Sequence, residues 1–417
     1  MHDILPEDQR YFQKIYNVCE TLINFYGFKR IDTPILEDAA LYEKGTGLTT
    51  DIVQKQMFTL RTRGGDYLTL RPEFTPAIIR AYLEHGMQAL PQPMKLYSTG
   101  PVFRYEHPQV GRYRQFHQFN LEVIGDGDPV IDAQIIQIFY NILTELKFKK
   151  LIIEVNSIGD SQCRPYYKKL LVNYFRSKDS ALCADCRRRM KENPLRALDC
   201  KEEKCQREVR QAPQIIDHLC EECHRHFKGV LEFLDEIELP YRLNPYLVRG
   251  LDYYTKTVFE IFEDTEEGRK MGSLVAGGRY DALVKLIGGE DTKAVGGAMG
   301  IERVIALIKD KGVSVQKFIG HPPIFLAQLG NIAKRKSLKL LEDFRKTKIR
   351  IAESFGRDSL KAQLNRADKL GAKYALILGQ KESLEGVIIV RDMQNGKQAV
   401  VKMDQVVKDI KKKLRKS

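Results

Sequence analysis

The stretch from about Asp160 to Arg242 is helical in pattern and interrupts two blocks that are β-like on either side of it. Before it, Tyr67–Leu70, Lys95–Tyr97 and Phe119–Ile124 form short runs broken by Gly and Pro. After it, the β pattern resumes at Leu247–Val248 and Thr257–Phe262. Short β runs without helices alternating between them predict an antiparallel sheet rather than βαβ units. One sheet completed from both sides of an interruption constrains the chain to an α+β domain carrying a helical insertion.

Around this frame, Phe12, Ile15, Tyr16, Cys19, Leu22 and Ile23 recur at helical spacing, predicting an amphipathic helix over Asp8–Phe25 that Gly27 stops. A second change of character follows Lys309-Asp310-Lys311-Gly312 and His321-Pro322-Pro323. Beyond it, Ile324–Leu329, Lys348–Ala352, Tyr374–Leu378 and Val387–Val390 read as strands, and Ala333–Arg345 and Ser359–Leu370 as helices. Gln394-Asn395-Gly396-Lys397 reads as a hairpin turn, because Asn-Gly tolerates positive φ. The expected organisation is a domain over 1–319, interrupted at about 160–242, followed by an α/β domain over 320–417.

The charge divides along the same boundary. From His321 onward, 23 Lys and Arg stand against 10 Asp and Glu, which accounts for the whole formal net charge of +13. A neutral body with a basic last quarter points to a polyanion-binding module, since basic side chains on a nucleic acid release its condensed counterions. No run approaches the ~20 consecutive apolar residues of a membrane helix. Met1-His2-Asp3-Ile4 lacks the basic-then-apolar opening of a secretory signal, so a cytoplasmic chain is expected.

Neither the Walker phosphate loop nor the dinucleotide fingerprint is present. A nucleotide would then have to be held by side chains, above all by Arg, whose planar fork grips phosphate at two points. Arg104 follows a strand-like run in Gly100-Pro101-Val102-Phe103-Arg104-Tyr105-Glu106, and Arg303 closes the Gly-rich run Gly296-Gly297-Ala298-Met299-Gly300-Ile301-Glu302-Arg303. Glycines of that kind let a ligand approach the backbone.

These residues resemble a known family. Phe103-Arg104-Tyr105-Glu106 with Arg112-Tyr113-Arg114-Gln115-Phe116 is similar to motif 2 of the class II aminoacyl-tRNA synthetases. Gly300-Ile301-Glu302-Arg303 is similar to their motif 3, and Tyr26-Gly27-Phe28 through Asp32-Thr33-Pro34-Ile35-Leu36-Glu37 to their motif 1. Leu70-Arg71-Pro72-Glu73-Phe74-Thr75, Leu247-Val248-Arg249-Gly250-Leu251-Asp252-Tyr253-Tyr254 and Ala276-Gly277-Gly278-Arg279-Tyr280-Asp281 resemble the histidine-specific branch, the histidyl-tRNA synthetase family.

The resemblance implies activation of histidine by ATP with Mg²⁺, transfer to tRNA(His), a C-terminal anticodon-binding module and a homodimer built on motif 1. It places Arg104, Arg249 and Arg303 in catalysis, where two anions must meet and fixed positive charge matters more than a base. By the same resemblance Arg104, Glu106, Phe116 and Arg303 contact ATP, with Phe116 stacked on adenine and Glu106 reading its amino group. Histidine falls to Glu73, Phe74, Thr75, Arg104, Gln118, Glu122, Arg249, Tyr253, Tyr254 and Tyr280. Buried polar groups of this kind discriminate well, since an analogue lacking the nitrogens leaves them unpaired. No residue is assigned to a resident metal. The chain departs from the family pattern at His107, where an Arg is usual, and at Asn120, where a Gly is common; the family's usual upstream Arg-Gly leaves open a start before Met1.

Cys183, Cys186, Cys200, Cys205, Cys220 and Cys223 fall within the insertion. In a cytoplasmic chain, CxxC pairs favour zinc over disulfides, yet this spacing is no standard finger and six thiols exceed a tetrahedral set. Reduced cysteines lining small helical cores are the alternative. His224 and His226 stand two apart and cannot share a helix face. Two other functions fit part of the sequence. A synthetase-like regulatory subunit of ATP phosphoribosyltransferase generally lacks the C-terminal module and the histidine motifs. A zinc-stabilised nucleic-acid-binding protein would account for charge and cysteines but not for the Arg motifs.

Overall fold

Side-chain alternation, which defines a strand's two faces, shows most clearly in Gln115–Ile124: Phe119, Leu121 and Val123 enter a large apolar core, while Phe116, Gln118, Asn120 and Glu122 point the other way. The computed structural model describes residues 2–106, 111–313, 315, 322–356 and 359–416. His107 lies outside the described residues. The chain divides into two compact units, Met1–Val315 and Gln316–Ser417.

In the first unit the strands are β1 (Lys29–Arg30), β2 (Leu36–Asp38), β3 (Phe58–Arg61), β4 (Tyr67–Leu70), β5 (Met94–Phe103), β6 (Gln115–Ile124), β7 (Leu151–Ser157), β8 (Tyr241–Leu243), β9 (Thr255–Glu263), β10 (Val275–Arg279) and β11 (Ala294–Gly300). Eight of them form one sheet in the order β1-β5-β6-β11-β10-β9-β7-β8. Only the edge strands β1 and β8 run parallel to their neighbours. The antiparallel sheet expected from the short β runs is therefore present, with strands from both sides of the insertion. A small sheet, β2-β4-β3, stands apart.

The helices of this unit are α1 (Pro6–Phe25), α2 (Ala39–Thr46), α3 (Thr75–Glu84), α4 (Pro129–Glu145), α5 (Cys163–Arg176), α6 (Ala184–Glu192), α7 (Glu203–Val209), α8 (Glu221–Glu236), α9 (Glu266–Met271), α10 (Leu283–Ile287) and α11 (Ile301–Asp310). Phe12, Ile15, Cys19 and Ile23 of α1 pack with Ile135, Phe139 and Ile142 of α4 and Val304 and Ile308 of α11 against one face of the sheet. That leaves the opposite face available for a site. Within the insertion, α5–α7 pack in a second core that continues into residues beside that second face, while Phe227, Val230 and Leu234 of α8 join the first core. Leu247–Val248, expected as a strand, is instead a turn, with the Leu247 N–H donating to the Asn244 carbonyl at 2.9 Å. Both side chains are buried in this second core, so their apolar character reflects burial rather than strand pairing.

The second unit holds β12 (Ile324–Gln328), β13 (Ile351–Glu353), β14 (Tyr374–Leu378), β15 (Val387–Asp392) and β16 (Gln398–Lys402), with α12 (Asn331–Lys346), α13 (Leu360–Lys369), α14 (Gln380–Glu385) and α15 (Val406–Lys416). The order is β13-β12-β14-β15-β16, parallel through β14 and antiparallel after it. Gly396 turns the β15–β16 hairpin at φ 71°. The strand expected from Lys348 begins only at Ile351, because Lys348 is left-handed at φ 59° and closes the preceding helix. Among the described residues no helix is long and apolar enough to cross a membrane.

Candidate active site

The free face of the large sheet is hollow because its central strands carry almost no side chains there. Gly296, Ala298 and Gly300 of β11 lie opposite Glu122, Asn120 and Gln118 of β6, and Ala276 and Gly278 of β10 continue the row. Nothing longer than a methyl group rises from β10 or β11 at these positions. A Cβ on Gly296 would stand 1.7 Å from Glu122 Oε2, so the close approach is only possible for glycine. The result is a cavity of about 500 Å³, within the range of small-molecule sites.

Positive charge enters the cavity from three directions. Arg104 follows the end of β5, donates from Nε to the Pro72 carbonyl at 2.9 Å, and lies 5.6 Å from the Phe116 ring centre. Arg303 sits in the first turn of α11, held by the carbonyls of Ser273 (2.8 Å) and Gly111 (3.2 Å). Burial, and next the neighbouring Arg112, pull its pKa down to about 10. Arg249 comes from the loop before β9 and ion-pairs with Glu260, which rises from β9 opposite Ala276. Glu106 pairs with Arg112 at 3.6 Å.

The cavity also holds buried carboxyls wrapped in hydroxyls. Glu73 accepts from Thr46 (2.8 Å) and from Tyr253 (2.7 Å). Burial raises its pKa, against the pull of Arg104. Glu122 accepts from Thr75 and Tyr280, and burial pushes its pKa up to about 8. Tyr253 meets Tyr254 at 4.7 Å between ring centres, the rings tilted by 45°, and meets Tyr280 edge-on at 5.7 Å. Gln118 faces the cavity with its buried Oε1 unpartnered, an acceptor left for a ligand.

Arg104, Arg249, Arg303, Glu106, Phe116, Glu73, Thr75, Gln118, Tyr253, Tyr254 and Tyr280 thus share one cavity wall. Two expected residues do not line it. Phe74 is 1% exposed, its ring under the Arg71 guanidinium at 4.3 Å. Glu122 lies one hydrogen bond behind Thr75 and Tyr280, so it positions rather than touches. Asn120, where a Gly is common, is buried and on the wall.

Several residues were missed in the sequence. Glu302 accepts from the His117 backbone N–H (2.8 Å) and meets His117 Nδ1 at 2.7 Å, locking α11 to β6. Its place beside Arg303 was the only signal. Arg196 of the insertion donates to the Arg249 carbonyl at 3.1 Å and to Asp51 at 2.9 Å, and nothing in its local sequence marks that role.

The chain is similar to known proteins along nearly its whole length. Residues 1–304 match the family described as "Histidyl-tRNA synthetase", and residues 324–413 match "Anticodon binding domain". A histidine–tRNA ligase of Dehalococcoides mccartyi is 44% identical, covering 99% of this chain and 98% of its own length. One from Desulforamulus reducens is 42% identical over 98% and 97%. The crystal structure of apo S. aureus histidyl-tRNA synthetase superposes with a TM-score of 0.78 at 34% identity, covering 98% and 97% of the two chains. With the family match spanning well over half its length, the chain belongs to the histidyl-tRNA synthetase family.

Proposed function

We infer that the cavity is where histidine is activated by ATP before its transfer to tRNA(His). The chain is a histidine–tRNA ligase in its family relationships over nearly full length. The observation that carries the site assignment is the pairing of two opposite chemistries in one 500 Å³ space. Arg104, Arg249 and Arg303 line it together with acceptors, Glu73, the free Gln118 Oε1 and the Tyr hydroxyl oxygens.

Histidine offers matching ends. Its ammonium and ring N–H are donors that Glu73 and Gln118 can accept, while its carboxylate is drawn toward the arginines. The carboxylate oxygen attacks the α-phosphorus of ATP, forming the acyl–phosphate bond as the bond to pyrophosphate breaks. No proton moves in that step, so the protein's task is to hold two anions together with charge already in place. Arg104 and Arg249 would flank the reacting phosphate, and Arg303 would take the nucleotide's far side, with adenine against Phe116. Magnesium would arrive with ATP, shared mainly with phosphate oxygens. In the second step a ribose hydroxyl of the tRNA terminus attacks the acyl carbon, the acyl–phosphate bond breaks to release AMP, and the hydroxyl proton is lost to solvent.

The C-terminal unit would bind the tRNA, supported by its basic charge and its match to an anticodon-binding family. No specific observation favours the regulatory-subunit reading, which leaves that unit and the intact tyrosine cluster unexplained. The test is histidine-dependent exchange of pyrophosphate into ATP, followed by charging of tRNA(His) by the full chain. Absence of exchange at saturating histidine would overturn the assignment.

A further inference from the structure

The seven cysteines of the insertion gather into two separate clusters, and they do so by the same local construction. In the first, Cys183 is the N-cap of α6; its Sγ accepts from the Cys186 N–H at 3.3 Å, and its own N–H donates to Cys205 Sγ at 3.1 Å. Cys200 completes the set, with its Sγ 3.8 Å from that of Cys183. In the second, Cys220 is the N-cap of α8; its Sγ accepts from the Cys223 N–H at 3.5 Å, and its N–H donates to Cys163 Sγ at 3.0 Å. The fourth member is Asp160, whose Oδ1 takes the N–H groups of Gln162 and Cys163 at 2.8 and 3.2 Å. Within each cluster the four candidate ligand atoms lie within 4.8 Å of one another.

We propose that the insertion binds two zinc ions, one held by Cys183, Cys186, Cys200 and Cys205, the other by Asp160, Cys163, Cys220 and Cys223. Zn–S bonds of about 2.3 Å set the sulfur–sulfur edges of a tetrahedron near 3.8 Å, the spacing of Cys183 and Cys200. Backbone N–H groups directed at sulfur, at the first turn of a helix, favour the thiolate that a metal requires. Cysteines that only filled a core would have no reason to meet in sets of four candidate ligands with amides aimed at their sulfur atoms. Each ion would displace the thiol protons into solvent as it binds. The excess negative charge of the first set has a basic neighbour in sequence, Arg187-Arg188-Arg189.

The two ions would do different mechanical work. The second would tie the start of α5 to the start of α8, closing the stretch of chain between them. The first would fix α6 and the turn after it. From that stretch Asn193 donates to Asp252 at 3.0 Å, Arg196 holds the Arg249 carbonyl, and Asp199 and Lys201 reach the cavity wall. A metal in this cluster would thereby stiffen one side of the active site without touching substrate.

Elemental analysis of the full-length protein, purified under reducing conditions without chelator, should give two equivalents of zinc per chain. Cys205→Ser and Cys223→Ser should each retain one. Because a variant could fail to fold, the unaltered protein is also titrated with an organomercurial beside a metallochromic dye, and two ions should be released as the thiols react. Cobalt loaded in place of zinc should show the visible bands of tetrahedral thiolate sites. Fewer than two equivalents in the unaltered protein, or a mass lowered by disulfide formation with no metal released, would overturn the proposal. Unchanged zinc content in either folded serine variant would overturn it as well.

Discussion

Arg249 stands in the structure against Glu260, its charge already balanced and its backbone carbonyl held by Arg196. An arginine pre-set in this way adds little to ground-state binding and most where new negative charge develops. Arg249→Ala is therefore expected to lower single-turnover adenylation by on the order of 3–4 kcal/mol, with ATP affinity much less affected. Rapid-quench measurement of adenylate formation beside equilibrium ATP binding would separate the two, and an unchanged rate would remove Arg249 from the chemistry. Glu122 makes a different prediction. Its pKa is raised from 4.5 to about 8, so the folded protein keeps a proton that the unfolded chain has lost. Its contribution is fully present below pH 4.5 and is lost as pH rises through about 8. The melting temperature of Glu122→Gln should accordingly fall less across that window than that of the unaltered protein. Residue types on the cavity wall were legible because Arg forks and paired Tyr are chemically pointed. The roles of Glu302, Glu260 and Arg196 were not, since each acts on a partner at least eleven residues away in sequence, and only the fold brings them together.

At the scale of elements, the cavity owes its existence to a stripe of small residues, and that is testable at Gly296. Alanine there must push Glu122 aside and also sits 2.5 Å from the Leu121 carbonyl, which cannot yield without disturbing the β6–β11 ladder. Overpacking of this sort costs about 1–3 kcal/mol. Gly296→Ala should unfold at lower denaturant and bind histidine more weakly, and an unchanged midpoint would mean the sheet relaxes more freely than its pairing implies. Strand existence was readable from β propensity in Tyr67–Leu70 and Phe119–Ile124, and the helix over Asp8–Phe25 from its apolar period. Leu247–Val248 misled because two buried apolar residues in a turn carry the same local pattern as a strand end. The insertion was visible as an interruption, but not its interior. Cys163 lies 57 residues from Cys220, and no spacing rule links them until the fold brings the start of α5 to the start of α8.

At the scale of the whole molecule, exposed apolar surface bears on assembly and charge bears on tRNA binding. Ile35, Leu36, Leu60 and Tyr67, on and beside the small sheet, are at least 40% exposed. Apolar surface grouped on one element marks an interface more often than scattered residues do. A two-fold dimer through this region is expected, and sedimentation at micromolar concentration should find twice the chain mass of 48.0 kDa; a fully active monomer would refute it. The charge count supports the last prediction. The first unit carries its own cores and the whole cavity, and the second adds all of the excess positive charge. Removing residues from His321 onward should leave pyrophosphate exchange largely intact, because adenylation involves only the cavity. Charging of tRNA(His) should fall steeply. The intact enzyme's tRNA affinity should weaken with salt along a steep log–log line, reflecting counterions released by the basic unit, and the truncated chain's line should be shallower. Equal slopes in the two proteins would mean that the C-terminal charge does not meet the tRNA.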